Sequence, residues 1–164
     1  MSRTRLIRRG VLPLLALALT AAAPAAAHQE TRAAGESVPT RSGSPDSAVD
    51  RVADFYGTYI DVVQDRGRGD LTDGLREHYL TEKLRTELDA WERDHRADGV
   101  LRSREVPSSW RVTYDESAMG HTWTTVRLSW GDADQQRHTY LTVRSDLATK
   151  RISGIETGPA PADG

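Results

Sequence analysis

Cysteine is absent from all 164 residues. That excludes disulfides, thiolate metal sites and a lipid anchor on a cysteine, so a folded domain here must be held by its own apolar core. Lysine is almost absent as well: Lys83 and Lys150 are the only two, and the other basic residues are arginine. Together with abundant Ala, Asp and Gly, this bias points to a GC-rich bacterial genome. Long apolar runs are missing. The most apolar stretch, Val11–Leu19, is short against the ~20 residues that a membrane-spanning helix needs, and Pro24 follows it. There is no phosphate-cradling glycine loop, no nucleophile signature and no internal repeat.

What is present begins with an address. Arg3, Arg5, Arg8 and Arg9 precede the apolar run, and Ala25-Ala26-Ala27 closes the small-residue stretch after it. A basic region, a short apolar core and an Ala-rich cleavage site describe a secretory signal peptide over 1–27. Arg8-Arg9 also resembles a twin-arginine export signal, which leaves the route open. Cleavage near Ala27 removes four arginines and no acid, so 22 basic residues become 18 against 24 acidic ones, a formal charge of -6. An acidic exported chain lacks the clustered positive charge used to bind nucleic acid or, after signal cleavage, an anionic membrane.

Residues 28–46 are expected to form a disordered linker ending in a helix cap: they are rich in Ala, Gly, Ser, Thr, Glu and Arg without apolar periodicity. Ala48–Val63 then places Val49, Val52, Ala53, Tyr56, Tyr59, Ile60 and Val63 at helical spacing, with Ser44, Pro45 and Asp46 as start signals. Gly57 inside that helix either permits close packing or is a tolerated defect. A short helix over Leu71–Tyr79 follows, with Leu71, Leu75, His78 and Tyr79 on one side. Thr81 caps a third helix carrying Leu84, Leu88, Trp91 and His95, which Gly99 ends. From Val106 the period becomes two, which marks strands. Trp110, Val112, Tyr114, Val126, Leu128, Leu141 and Val143 read as the inner face. Arg111, His121, Trp123, Arg127, His138, Tyr140 and Arg144 read as the outer one. A bulge at Gly154 would let Ile152 and Ile155 both point inward. The expected architecture is α+β, three N-terminal helices packed on a curved four-stranded antiparallel sheet. It forms a single domain over 47–157 with a disordered tail, 158–164.

Phe55-Tyr56-Gly57-Thr58-Tyr59, the bridge from Gly99-Val100-Leu101 to Val106-Pro107, Trp110 and Lys150-Arg151-Ile152 resemble small exported bacterial domains of unknown function. These belong to the nuclear transport factor two-like superfamily of cone-shaped α+β domains. The resemblance spans Ala48 to Glu156 and implies a pocket between helices and sheet, with a homodimer on the sheet's outer face as a frequent arrangement. That superfamily holds isomerases, dehydratases and cyclases as well as non-catalytic binding domains.

Its enzymes place a carboxylate or histidine inside the pocket, whereas the inner strand positions here are aromatic or aliphatic. No catalytic residue is therefore assigned. Tyr56, Tyr59, Trp91, His95, Trp110 and Tyr114 are the ligand-pocket candidates, for a small apolar ligand; the competing reading makes them core. Trp123, Arg127, Tyr140 and Arg144 are the interface candidates, because Trp, Tyr and Arg anchor protein contacts. No metal site is expected: His121 and His138 do not fall opposite one another, His78 and His95 lie on different helices, and Asp132 and Asp134 read as turn residues. No cofactor is expected either. The sequence reads as an exported non-catalytic binding or interaction domain for an unknown protein or small apolar ligand. Two alternatives stand beside it: a small isomerase, dehydratase or cyclase using His95 with tyrosines, and a homodimer without ligand.

Overall fold

The computed structural model describes residues 41–161; the expected signal peptide, residues 28–40 of the expected linker and residues 162–164 of the tail lie outside them. Three helices come first: α1 (Ala48–Arg66), α2 (Asp70–Tyr79) and α3 (Glu82–His95). Four strands follow as an antiparallel meander in the order β1-β2-β3-β4: β1 (Ser109–Ala118), β2 (His121–Trp130), β3 (Arg137–Asp146) and β4 (Ile152–Gly158). The class is α+β. No helix among the described residues is long and apolar enough to cross a membrane.

Local chemistry sets the element ends. α1 is capped by Ser47, whose hydroxyl accepts from the Asp50 amide at 3.2 Å, rather than by Ser44. Its C-terminus closes on Gly67 at φ 73°, a left-handed value that favours glycine. Thr81 caps α3 as expected, accepting from the Leu84 amide at 3.3 Å. The β1–β2 hairpin turns on Met119 and Gly120, both at positive φ, the backbone that a two-residue hairpin matched to strand twist requires.

α1 is the central element. Val52, Phe55, Tyr56 and Tyr59 have no exposed surface, and with Ile60 they meet Val126, Leu128, Leu141, Val143, Ile152 and Ile155 in one core. Each fully buried side chain of this size contributes about 1.5–3 kcal/mol. Phe55 widens the expected stripe, because α1 faces α2 as well as the sheet: the Phe55 ring lies 5.4 Å from Tyr79. Gly57 is a close-approach glycine, since a Cβ there would lie 2.8 Å from the Trp110 ring.

α2 turns inward a side that keeps Leu75 and Tyr79 of the expected face, both half-buried against the core, but is shifted round the helix from it. Leu71 and His78 are exposed, while Thr72 and Arg76 are buried. Ile152 and Ile155 do both point into the core, but the bulged residue is Ser153, the one skipped between the pairs Arg144↔Gly154 and Ser145↔Ile152. Two boundaries move. Gly158 belongs to β4, opposite Tyr140, rather than to the tail. At the other end Arg41 is pinned on α1 by an ion pair to Asp54 (2.5 Å), with its guanidinium 5.1 Å from the Trp110 ring centre.

Candidate functional site

Two clusters outside the apolar core carry the polar chemistry. The first closes the gap between α1, α2, α3 and the 96–106 loop. Arg76, 4% exposed, donates to the Tyr59 hydroxyl (2.9 Å) and to Glu92 (2.5 Å). Tyr59 donates in turn to Asp98 at 2.8 Å, and Arg68 pairs with Glu92 at 2.5 Å. The loop backbone completes the set: Asp98 accepts from the Val100 and Leu101 amides (2.8 and 2.9 Å), and Glu92 accepts from the Gly99 amide (2.7 Å). Every charge in the cluster has opposite charges and N–H donors around it, the condition under which buried ions are tolerated.

This pairing decides what the cluster can do. Burial alone would push the Glu92 carboxyl up, but the Arg76 and Gly99 hydrogen bonds and the neighbouring arginines hold it below its ordinary range. The Tyr59 hydroxyl is pushed above the ordinary tyrosine range by burial and by the Asp98 charge beside it. A carboxylate held ionised and a phenol held protonated are both poor proton shuttles near neutral pH. Beside the cluster lies a cleft of about 570 Å³, with Val63, Arg68, Arg96, Asp98, Leu101 and Arg104 on its walls. Its two most buried carboxylates, Glu92 and Asp98, are both already engaged by arginine.

The second cluster lies on the side of the sheet that faces away from the helices; the apolar core draws its strand residues from the other side. Cross-strand register builds it. Arg111 lies opposite Arg127, which lies opposite Tyr140; four residues along, Trp123 lies opposite Arg144. Thr113, Thr125 and Thr142 form the row between, with Asp115 accepting from the Thr125 hydroxyl at 2.8 Å and Glu156 at the β4 end of the row. The four residues predicted as interface anchors thus share one face, each half-buried. Arg144 donates to the Ser153 hydroxyl and carbonyl, both at 3.2 Å. Arg127 differs: its Nε is shut off from solvent with no hydrogen-bond partner. Among the described ion pairs, none involves Arg111, Arg127 or Arg144.

The predicted pocket residues are not brought together. Tyr56 and Tyr59 fill the core, and the Tyr56 hydroxyl reaches the Val100 carbonyl at 3.4 Å. Trp110 is half-buried over Gly57. Tyr114 is 54% exposed, on a part of the edge strand β1 where every residue after Val112 is exposed. His95 is exposed at the end of α3. Its ring stacks on Trp91 at 4.0 Å, and its Nδ1 lies 2.8 Å from the Trp91 carbonyl, so it faces neither tyrosine of the core. Trp91 also carries the Arg102 guanidinium 4.4 Å from its ring centre. His121 and His138 pair with Asp146 and Ser129 across β2–β3, and no group of three or more His, Asp or Glu suited to a metal ion occurs among the described residues. The Arg76–Glu92–Asp98 cluster was not foreseen. The signal it left was an arginine at 76 on the line of Thr72 and Tyr79, the side of α2 that is buried.

No protein-family model and no curated protein matches the sequence. Among solved structures, the chain is similar to a crystal structure of a protein of unknown function from Bacteroides thetaiotaomicron. The two are 18% identical with a TM-score of 0.52, over 68% of this chain and 88% of that one. A likeness at that identity shows a shared fold.

Proposed function

We propose that the protein is an exported, non-catalytic interaction domain that binds a partner protein through the free side of its sheet. One observation carries this reading: Arg111, Arg127 and Arg144 share that side with Trp123 and Tyr140, and none of the three is in an ion pair among the described residues. Like charges directly opposite on neighbouring strands are unfavourable, and Arg111 and Arg127 are such a pair. A partner presenting carboxylates relieves that repulsion and supplies acceptors for the guanidinium groups, while Trp123 and Tyr140 supply rigid apolar area. The paired state of Glu92, Asp98 and Arg76 supports a structural rather than a proton-transferring role for the other cluster.

The layout of three helices and a four-stranded meander supports placing the chain in the nuclear transport factor two-like superfamily, with the sheet curved around the helices as a cone. Export rests on the 1–27 signal read in the sequence; protein recovered outside the cytoplasm and beginning just after Ala27 agrees with it, whereas cytoplasmic protein retaining Met1 contradicts it.

The interaction itself is tested with a photo-crosslinking residue placed either at Thr142, in the middle of the free side, or at Leu71, exposed on α2. Adducts are expected at 142, lost when Arg127→Glu is added, and absent at 71. Equal adducts at both positions, or none at 142, would remove the proposal.

A further inference from the structure

The two edges of the sheet are treated differently. On β4 the edge carbonyls are occupied from outside the sheet: Ile152 accepts from the Thr81 amide at 2.9 Å and Ile155 from Arg102 Nη2 at 2.6 Å. On β1 nothing comparable happens. Among the described residues, no group outside the β1–β2 ladder hydrogen-bonds to the backbone of residues 110–118. β1 is ten residues long, and its side chains are exposed from Thr113 to Ala118. An open edge of that length is a template for another strand.

We infer that this edge pairs antiparallel with β1 of a second copy, about a two-fold axis at Thr113. The register follows from charge. With Thr113 opposite itself, Arg111 faces Asp115 of the second copy, and Asp115 faces its Arg111. Asp115 is the bulged residue of β1, skipped between the pairs Tyr114↔Thr124 and Glu116↔Trp123, and its carboxylate stays on the side of the sheet that carries Arg111, since it accepts from the Thr125 hydroxyl. A register centred on residue 111 would set Arg111 against Arg111, and one centred on 115 would set Asp115 against Asp115. Registers centred on 112 or 114 set no charges face to face, so, with opposite charges favoured and like charges penalised at directly facing positions, charge selects the Thr113 pairing out of the five centred on 111 to 115. The same register puts Val112 beside Tyr114 of the second copy, covering part of the tyrosine that is 54% exposed in the single chain. Charges on an edge strand ordinarily guard it against indiscriminate pairing; here they also specify a partner.

The pairing joins two four-stranded sheets into one of eight, with the helices of both copies on one side and both free sides on the other. The surface of Trp123, Arg127, Tyr140 and Arg144 is thereby doubled into one continuous face, while Arg111 is taken up by the pairing and leaves Arg127 and Arg144 as the arginines open to a partner. The inference does not depend on that surface binding anything.

Because the chain lacks cysteine, single substitutions give an unambiguous test. In the purified protein, Thr113→Cys places two thiols across the axis, where facing Cα atoms of an antiparallel pair are about 4.5–5.5 Å apart, within disulfide reach. Thr125→Cys, one strand further in and on the same row, would be about 14 Å from its copy at three strand spacings, out of reach. The expected result is a disulfide-linked dimer for most Thr113→Cys chains under mild oxidation and none for Thr125→Cys, with the unmodified protein sedimenting as a dimer. Linkage through residue 125 and not 113 means that the copies meet face to face and overturns the inference, as does a monomeric parent. Charge reversal checks the register: Arg111→Glu alone is expected to weaken dimerisation about tenfold or more, and Arg111→Glu with Asp115→Arg to restore it. Equal affinities for the single and double variants would reject the register.

Discussion

The buried cluster and the free side of the sheet are built from the same kinds of residue and put them to opposite uses. Each has arginines, a tyrosine and carboxylates nearby. In the cluster Arg76 touches Tyr59 and Glu92 while Asp98 holds the loop amides, so three helices and the 96–106 loop are tied at one point. On the sheet Arg111 and Arg127 face each other without a carboxylate between them. Burial explains the contrast: an unpaired ion inside would cost several kcal/mol, whereas an unpaired arginine at the surface costs little and stays available for contact. Paired arginines hold this fold, and unpaired ones mark where it meets something else.

The largest break in that comparison is expected from Asp98→Ala. It strips partners from Tyr59, from the Val100 and Leu101 amides and from the Arg76 neighbourhood together, and should lower unfolding free energy by about 3–5 kcal/mol in urea titrations. A loss below 1 kcal/mol would mean that the cluster is not what ties the loop to the helices. Next comes Gly57→Val, which forces a side chain against the Trp110 ring and should cost about 1–3 kcal/mol, accompanied by a change in near-ultraviolet circular dichroism. It separates the packing beneath β1 from the charges.

The third concerns pH. The Glu92 carboxyl sits below its ordinary value of 4.5 in the folded chain. The stability it contributes is therefore fully present above pH 4.5 and disappears as the pH falls through its folded value. Glu92→Gln should be less stable than the parent at neutral pH and should lose less on acidification. Parallel stability curves for the two proteins below pH 4.5 would contradict the ionised pairing.

The helices and strands were legible because they rest on periodicity. The 52, 56, 59, 60 stripe and the alternation through 126, 128, 141 and 143 can each be read from one segment at a time, and the burial matches. Phe55 was not legible, since its burial depends on Tyr79 of another helix. The arginine cluster was hidden for the same reason. Residues 59, 68, 76, 92 and 98 share no local spacing, and a charged side chain on a short helix reads as solvated until its partners are known. Trp123, Arg127, Tyr140 and Arg144 fell together correctly because strand alternation alone assigns them a side. The supposed pocket did not, because alternation gives the side of Tyr114 but not how far the helices extend over it. His95 shared the helical spacing of Leu84 and Leu88, yet it lies beyond the point where α3 is covered.

The most direct measurement is urea unfolding of Arg76→Met beside Arg127→Met, two identical chemical changes in the two regions. Arg76→Met leaves Glu92 and Asp98 short of a partner and is expected to lose about 3 kcal/mol or more, whereas Arg127→Met removes a solvent-excluded Nε without a partner and a charge facing Arg111, and is expected to be no less stable than the parent. Equal losses in the two variants would contradict the account, because the unpaired arginine would then be holding the fold as the paired one does.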